Sequence, residues 1–153
     1  MGHMEFTRFT YFLLLLLSLS FPLYKSFEPK IQFYKKFRYI IPAIVLTAIP
    51  FLIWDVLFEQ HGIWHFRPDY TIGLYWLGLP LEEWLFFFVI PFACFFIYEV
   101  VAFFTGTRPL PYIKPFTLFL ALILLLVAVS VPSRTYTFVN FLLGSLLLLV
   151  MLA

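Results

Sequence analysis

Five stretches of this chain carry no charged residue: Phe9–Tyr24, Tyr39–Trp54, Trp84–Tyr98, Pro115–Ser133 and Thr135–Ala153. A helix needs about 20 apolar residues to cross a bilayer core, and flanking residues extend the shorter stretches to that length. The pattern predicts an all-α fold, a polytopic transmembrane helical bundle with about five membrane helices. The first helix is expected from Glu5 to Tyr24, with Pro22 near its end, and the second from Tyr39 to about Phe58. The third opens at Pro80 and runs through Glu99. Gly106, Pro109, Pro111 and Pro115 then mark a boundary that no helix continues through. The last two helices are joined by the tight Val131–Thr135 turn and are Leu- and Val-rich, with few other features.

From Tyr70 to Thr107 the only charges are Glu82, Glu83 and Glu99. One straight helix over that range would be about 57 Å long, well beyond a core of about 30 Å. The pattern therefore leaves two alternatives. Either a separate interfacial segment precedes Pro80, or a kinked helix begins near Tyr70 and carries both glutamates below the surface.

Composition agrees with the pattern, since 63% of the residues are hydrophobic and only 12% are charged. A soluble domain of this size has too little charged surface to cover that much apolar area. The net charge of +2 is small and spread over the loops, so nothing indicates nucleic acid as a partner. The single cysteine, Cys94, is expected to pack as a small hydrophobe inside the third helix. Met1-Gly2-His3 reads as an appended leader before a native start at Met4.

Charge also orients the helices. The first connection holds Lys25, Lys30, Lys35, Lys36 and Arg38 against one acid, Glu28. Basic loops stay in the cytoplasm, so residues 25–38 and 105–115 are expected inside, with the N-terminus and residues 59–73 outside. Seven basic residues then lie inside and three outside. The expected setting is the cell (inner) membrane.

The chemistry concentrates between positions 54 and 84, which hold all four tryptophans, five of the eight acids, and His61 and His65. An aromatic belt explains tryptophans at one interface, yet a belt also places them on the other side, and none is there. Glu82 and Glu83 stand at the head of fifteen uncharged residues. Two readings are open for them. Acidic residues after a proline suit the first turn of a helix and its dipole. Alternatively, they form a proton donor–acceptor pair facing an apolar cavity, where ionised carboxylates are costly. Asp55 follows sixteen uncharged residues and abuts Trp54, and it lies on the helical face of Glu59, which reads as a solvated helix end. Glu59, His61, His65 and Asp69 can be written as a metal site, but Gly62 and Arg67-Pro68 argue against one continuous helix aligning the histidines, and no metal is assigned. No glycine-rich nucleotide fingerprint occurs, so no cofactor is identified.

Acid, aromatics and an apolar setting suit chemistry on a water-insoluble hydrocarbon. A neutral carboxylic acid donates a proton to an alkene, and aromatic faces stabilise the resulting cation. Asp55, then Gly62-Ile63-Trp64 and Phe66, then Gly73 and the run Leu79-Pro80-Leu81-Glu82-Glu83-Trp84-Leu85-Phe86-Phe87-Phe88 resemble the lycopene cyclase domain of small, membrane-embedded lycopene β-cyclases. The resemblance extends from about Met4 to Phe104. It implies an isomerase of carotenoid biosynthesis, an intramolecular lyase that closes the ψ-ends of lycopene into β-rings without redox change. It implies Glu82, Glu83 and Asp55 as catalytic residues. Trp54, Trp64, Trp84, Phe86 and Phe87 become candidates for lining the polyene or stabilising the cation.

In this family the enzyme is assembled from two related domains, as separate subunits or as one fused chain. Phe6–Leu17 resembles Ile113–Leu126, so residues 112–153 read as the first two helices of a second, incomplete copy. Residues 4–104 then form the first three-helix domain and 105–111 a cytoplasmic linker. The expected partners are lycopene or a related linear carotenoid, the lipid bilayer, and a second cyclase domain, subunit or copy. This chain is expected to fold but to cyclise little by itself. Two rivals stand beside the cyclase: a non-catalytic carotenoid- or isoprenoid-binding membrane subunit, and a metal-dependent membrane enzyme.

Overall fold

The computed structural model describes residues 7–106 and 112–152, which fall into two compact units within Met1–Thr107 and Arg108–Ala153. The expected leader and residues 107–111 of the expected linker lie outside the described residues.

The first unit contains α1 (Thr10–Lys25), α2 (Phe37–Gln60) and α3 (Leu81–Thr105). Both α2 and α3 are long and apolar enough to cross a membrane, whereas α1 is shorter, at 16 residues. A helical turn at Thr7–Arg8 precedes α1, and the amide of Leu13 reaches back to the carbonyl of Phe9. Prolines 22, 42, 50 and 91 all sit inside helices.

Packing follows stripes of helical spacing. On α2 the buried positions are Ile44, Ala48, Leu52 and Asp55, and on α3 they are Glu82, Val89, Phe92 and Phe96. Each stripe thus ends in a carboxyl group at the same end of the bundle. The opposite end is closed by the basic loop. It dips inward at Phe33, which is 1% exposed and meets Phe37, Phe92 and Phe96 edge-on. A 3-10 turn over Phe33–Lys36 delivers that ring, and Lys36 pairs with Glu99 near the end of α3 at 2.6 Å.

Between α2 and α3 the chain forms neither a long loop nor an extended helix. A 3-10 turn at Pro68–Tyr70 leads into a hairpin, β1 (Tyr75–Trp76) against β2 (Leu79–Pro80). The two-residue turn, Leu77-Gly78, has positive φ at both positions, 53° and 88°, as the tight primed turns of hairpins require. A separate interfacial segment therefore precedes α3. Pro80 is not its first helical residue, as the sequence had implied, but its extended N-cap and the end of β2. The reason is pairing: Tyr75 lies opposite Pro80, and the Leu81 amide donates to the Leu74 carbonyl, holding the backbone extended up to the helix start.

Cys94 also departs from expectation. It is exposed, on the side of α3 away from the stripe of Val89, Phe92 and Phe96. In a membrane span, exposure means lipid contact, which a thiol tolerates well.

The second unit is an antiparallel pair, α4 (Ile113–Ser130) and α5 (Thr135–Leu152), each of membrane-spanning length. It is less featureless than its composition indicates. Ala121, Ala128 and Ser145 are buried, and the Ser145 hydroxyl donates to the Ala121 carbonyl at 2.9 Å. Small residues bring the two backbones close enough for that bond, and membrane helices associate through such contacts.

Candidate active site

Three helices bring acidic and phenolic groups to one end of the first unit. Asp55 lies on α2 about 8 Å before its last residue, given 1.5 Å of rise per residue. Glu82 and Glu83 occupy the first turn of α3, and Tyr11 the first turn of α1. The Tyr11 hydroxyl donates to Glu83 Oε2 at 2.7 Å. The carboxyl groups of Asp55 and Glu83 are close enough to interact.

Glu82 has a different setting. It is wholly buried, and its Oε1 accepts the backbone amide of Ile72 at 2.6 Å. Its other oxygen, Oε2, is buried without a hydrogen-bond partner among the described residues. Adjacent helical positions point about 100° apart, and that divergence sends Glu83 to α1 and α2 and Glu82 to the connection above.

That connection covers Glu82. Thr71, Leu79 and Pro80 are buried, and Leu79 forms an apolar cluster with Ala48 and Leu52, joined by Val56, Phe66, Trp84 and Phe87. Trp76 of the hairpin packs on Trp84 with ring centres 4.3 Å apart, and the Trp84 indole donates to the Trp76 carbonyl at 3.4 Å. Gly78 comes close to α2, where a Cβ would lie 2.9 Å from Oε2 at the end of the flexible Glu59 side chain.

The expected catalytic acids are thus together, while the aromatics divide into groups. Trp84 and Phe87 belong to the apolar cluster around Leu79, with Phe87 also stacked on Phe51 and met edge-on by Phe86. Trp54 and Trp64 both pack against Phe58. The residues of the metal alternative do not converge. His61 Nδ1 lies 2.6 Å from the Leu57 carbonyl, His65 faces Glu59 at 3.5 Å, and the described residues contain no group of three or more potential metal ligands.

Tyr11 was not singled out from the sequence. It sits in an apolar run of aromatic and leucine residues, and only the folding of α1 against α3 gives its hydroxyl a carboxyl partner.

Comparison with curated proteins and with solved structures finds no match. A family model for lycopene cyclase does match, over residues 8–101. That span holds Tyr11, Asp55, Glu82 and Glu83 and covers more than half of the chain. This chain belongs to the lycopene cyclase family.

Proposed function

We propose that this chain closes the linear ψ-ends of lycopene into β-rings within the membrane, by acid catalysis without redox change. Glu82 is the proton donor. Its Oε2 is buried without a hydrogen-bond partner among the described residues, a setting that suits proton delivery to so weak a base as an alkene. Protonation of C2 of the ψ-end leaves a tertiary cation at C1. The C5–C6 double bond then attacks C1, forming the C1–C6 bond and moving the cation to C5. Loss of the C6 proton forms the C5–C6 double bond of the β-ring, and the Asp55–Glu83 pair receives that proton. One proton enters and one leaves, so the product is an isomer of the substrate.

The observation that carries this reading is the convergence of Asp55, Glu82 and Glu83 beneath an apolar hairpin, at the head of an aromatic helix. A carboxyl acting only as a helix cap has no need of a second carboxyl from another helix. Trp84 and Phe87, beside the acids in the Leu79 cluster, are the nearest candidates to face the cation. Trp54, Trp64 and Phe86 extend the aromatic lining. A second cyclase domain or subunit completes the enzyme, and the acid end of the bundle faces the outside of the cell membrane.

The test is expression of the full-length gene in lycopene-accumulating cells, followed by pigment analysis. Wild type should convert lycopene to β-ring products. The Glu82→Gln/Glu83→Gln double variant should accumulate to the same level in the membrane and leave lycopene unchanged. Near wild-type ring formation by that variant would show the pair to be structural.

A further inference from the structure

We propose that Tyr11 is a positioning residue, whose hydroxyl fixes the Glu83 carboxyl as proton acceptor and thereby selects which proton the ring cation loses. The proposal rests on reading the chain as a cyclase. Its geometric basis is the bond from the Tyr11 hydroxyl to Glu83 Oε2, made between residues 72 positions apart on α1 and α3. Glu83 also meets Asp55 from α2. The phenol donates, and the Glu83 carboxyl accepts. That donor, on another helix, fixes the position of one carboxyl oxygen, and Asp55 of α2 lies beside it.

The chemistry makes such fixing consequential. Once C1–C6 has formed, the cation at C5 can lose a proton from C6, from C4 or from the methyl group on C5. The first loss gives the β-ring, the second the ε-ring and the third the exocyclic γ-ring. All three protons lie beside the same cationic carbon, so the nearest base decides among them. Misplacing a catalytic group by roughly 1 Å is enough to change rates about a hundredfold. A glutamate without the Tyr11 bond would sample more than one of these protons.

A plainer role for Tyr11 is anchorage at the membrane interface, where tyrosines are common. Formation of this kind of helix does not demand the hydroxyl. Phe116-Thr117-Leu118-Phe119 resembles Phe9-Thr10-Tyr11-Phe12 and carries leucine at the matching position, and α4 forms over it.

Tyr11→Phe removes the hydroxyl and nothing else. In lycopene-accumulating cells expressing the full-length gene, the variant should add ε- and γ-rings to a wild-type output of β-rings. Total ring formation should fall about tenfold, the scale of losing a hydrogen bond to a charged group, with KM for lycopene unchanged. Infrared spectra of purified protein supply a readout besides activity. Glu83→Gln identifies the Glu83 carboxyl band, and Tyr11→Phe should shift it. Wild-type ring composition and rate in Tyr11→Phe, or an unshifted band, would overturn the role of Tyr11 and leave the cyclase reading standing. Failure of Tyr11→Phe to fold, measured by thermal unfolding in detergent, would assign the hydroxyl to structure and also overturn the proposal. Absence of rings from the wild-type gene would instead defeat the cyclase reading, and ring selection with it.

Discussion

Glu82 and Ile72, ten residues apart, are joined by a hydrogen bond of 2.6 Å from the Ile72 amide to Glu82 Oε1. The bond ties the first turn of α3 to the segment that leads into the hairpin, and it occupies one oxygen of the carboxyl while the other stays without a partner among the described residues. One side chain thereby ties α3 to the connection through Oε1 and leaves Oε2 buried without a partner among the described residues.

This division separates two substitutions at the same position. Glu82→Gln keeps an acceptor for the Ile72 amide and should leave thermal stability in detergent nearly unchanged, while ring formation falls by about 10²-fold or more. Glu82→Ala removes the acceptor as well, and should cost a further 1–3 kcal/mol or so of stability through the stranded amide. Equal stability of the two variants would show that the Ile72 bond contributes nothing.

Phe33 should matter more to stability than any other residue of the basic loop. Its ring is buried against Phe37, Phe92 and Phe96, so Phe33→Ala leaves a cavity at the far end of the bundle. A loss of about 3–5 kcal/mol is expected from unfolding in detergent. Lys36→Met should cost no more than about 1 kcal/mol, since the lysine of its ion pair with Glu99 is half exposed.

Gly78→Ala tests the hairpin cover. The residue has φ of 88°, and an added methyl group would press on the Glu59 carboxylate. A penalty of about 1 kcal/mol or more is expected from the backbone alone. Cyclisation should fall together with stability if the hairpin keeps water from the acids. Glu59→Gln leaves the crowding in place, whereas Glu59→Ala in the Gly78→Ala background should relieve it.

Orientation is testable with single cysteines in a Cys94→Ala background. Ile63→Cys should react from outside intact cells with a membrane-impermeant maleimide, and Lys35→Cys only after the membrane is opened. The reverse pattern would place the acid cluster in the cytoplasmic leaflet.

In the second unit, Ser145→Ala removes the bond to the Ala121 carbonyl. Polar bonds between membrane helices average about 0.6 kcal/mol, so the effect should be small. Ser145→Leu should separate α4 from α5 and destabilise that unit far more, because position 145 is fully buried.

Much of this protein is legible in its sequence because membrane insertion acts on local properties. The length and apolarity of each segment determined that the chain is helical, and they placed α2, α4 and α5 within a few residues, whereas α3 runs six residues past Glu99 to Thr105. Charge within the apolar context pointed to Asp55, Glu82 and Glu83, since an acid at membrane depth is conspicuous wherever its partners are. Composition alone said nothing of the hairpin. Its strands are two residues each, shorter than any periodicity can register, and Leu77 adopts positive φ although its residue type does not favour it. Burial of Phe33 was hidden because the ring lies in a loop rich in lysine. Tyr11 was hidden for the opposite reason, as one more aromatic in an apolar helix. Its hydroxyl acquires a partner only when α1 packs against α3 and brings together residues 72 positions apart. Local chemistry decided which segments enter the bilayer, and packing between helices decided which acid meets the phenol and which meets the amide above it.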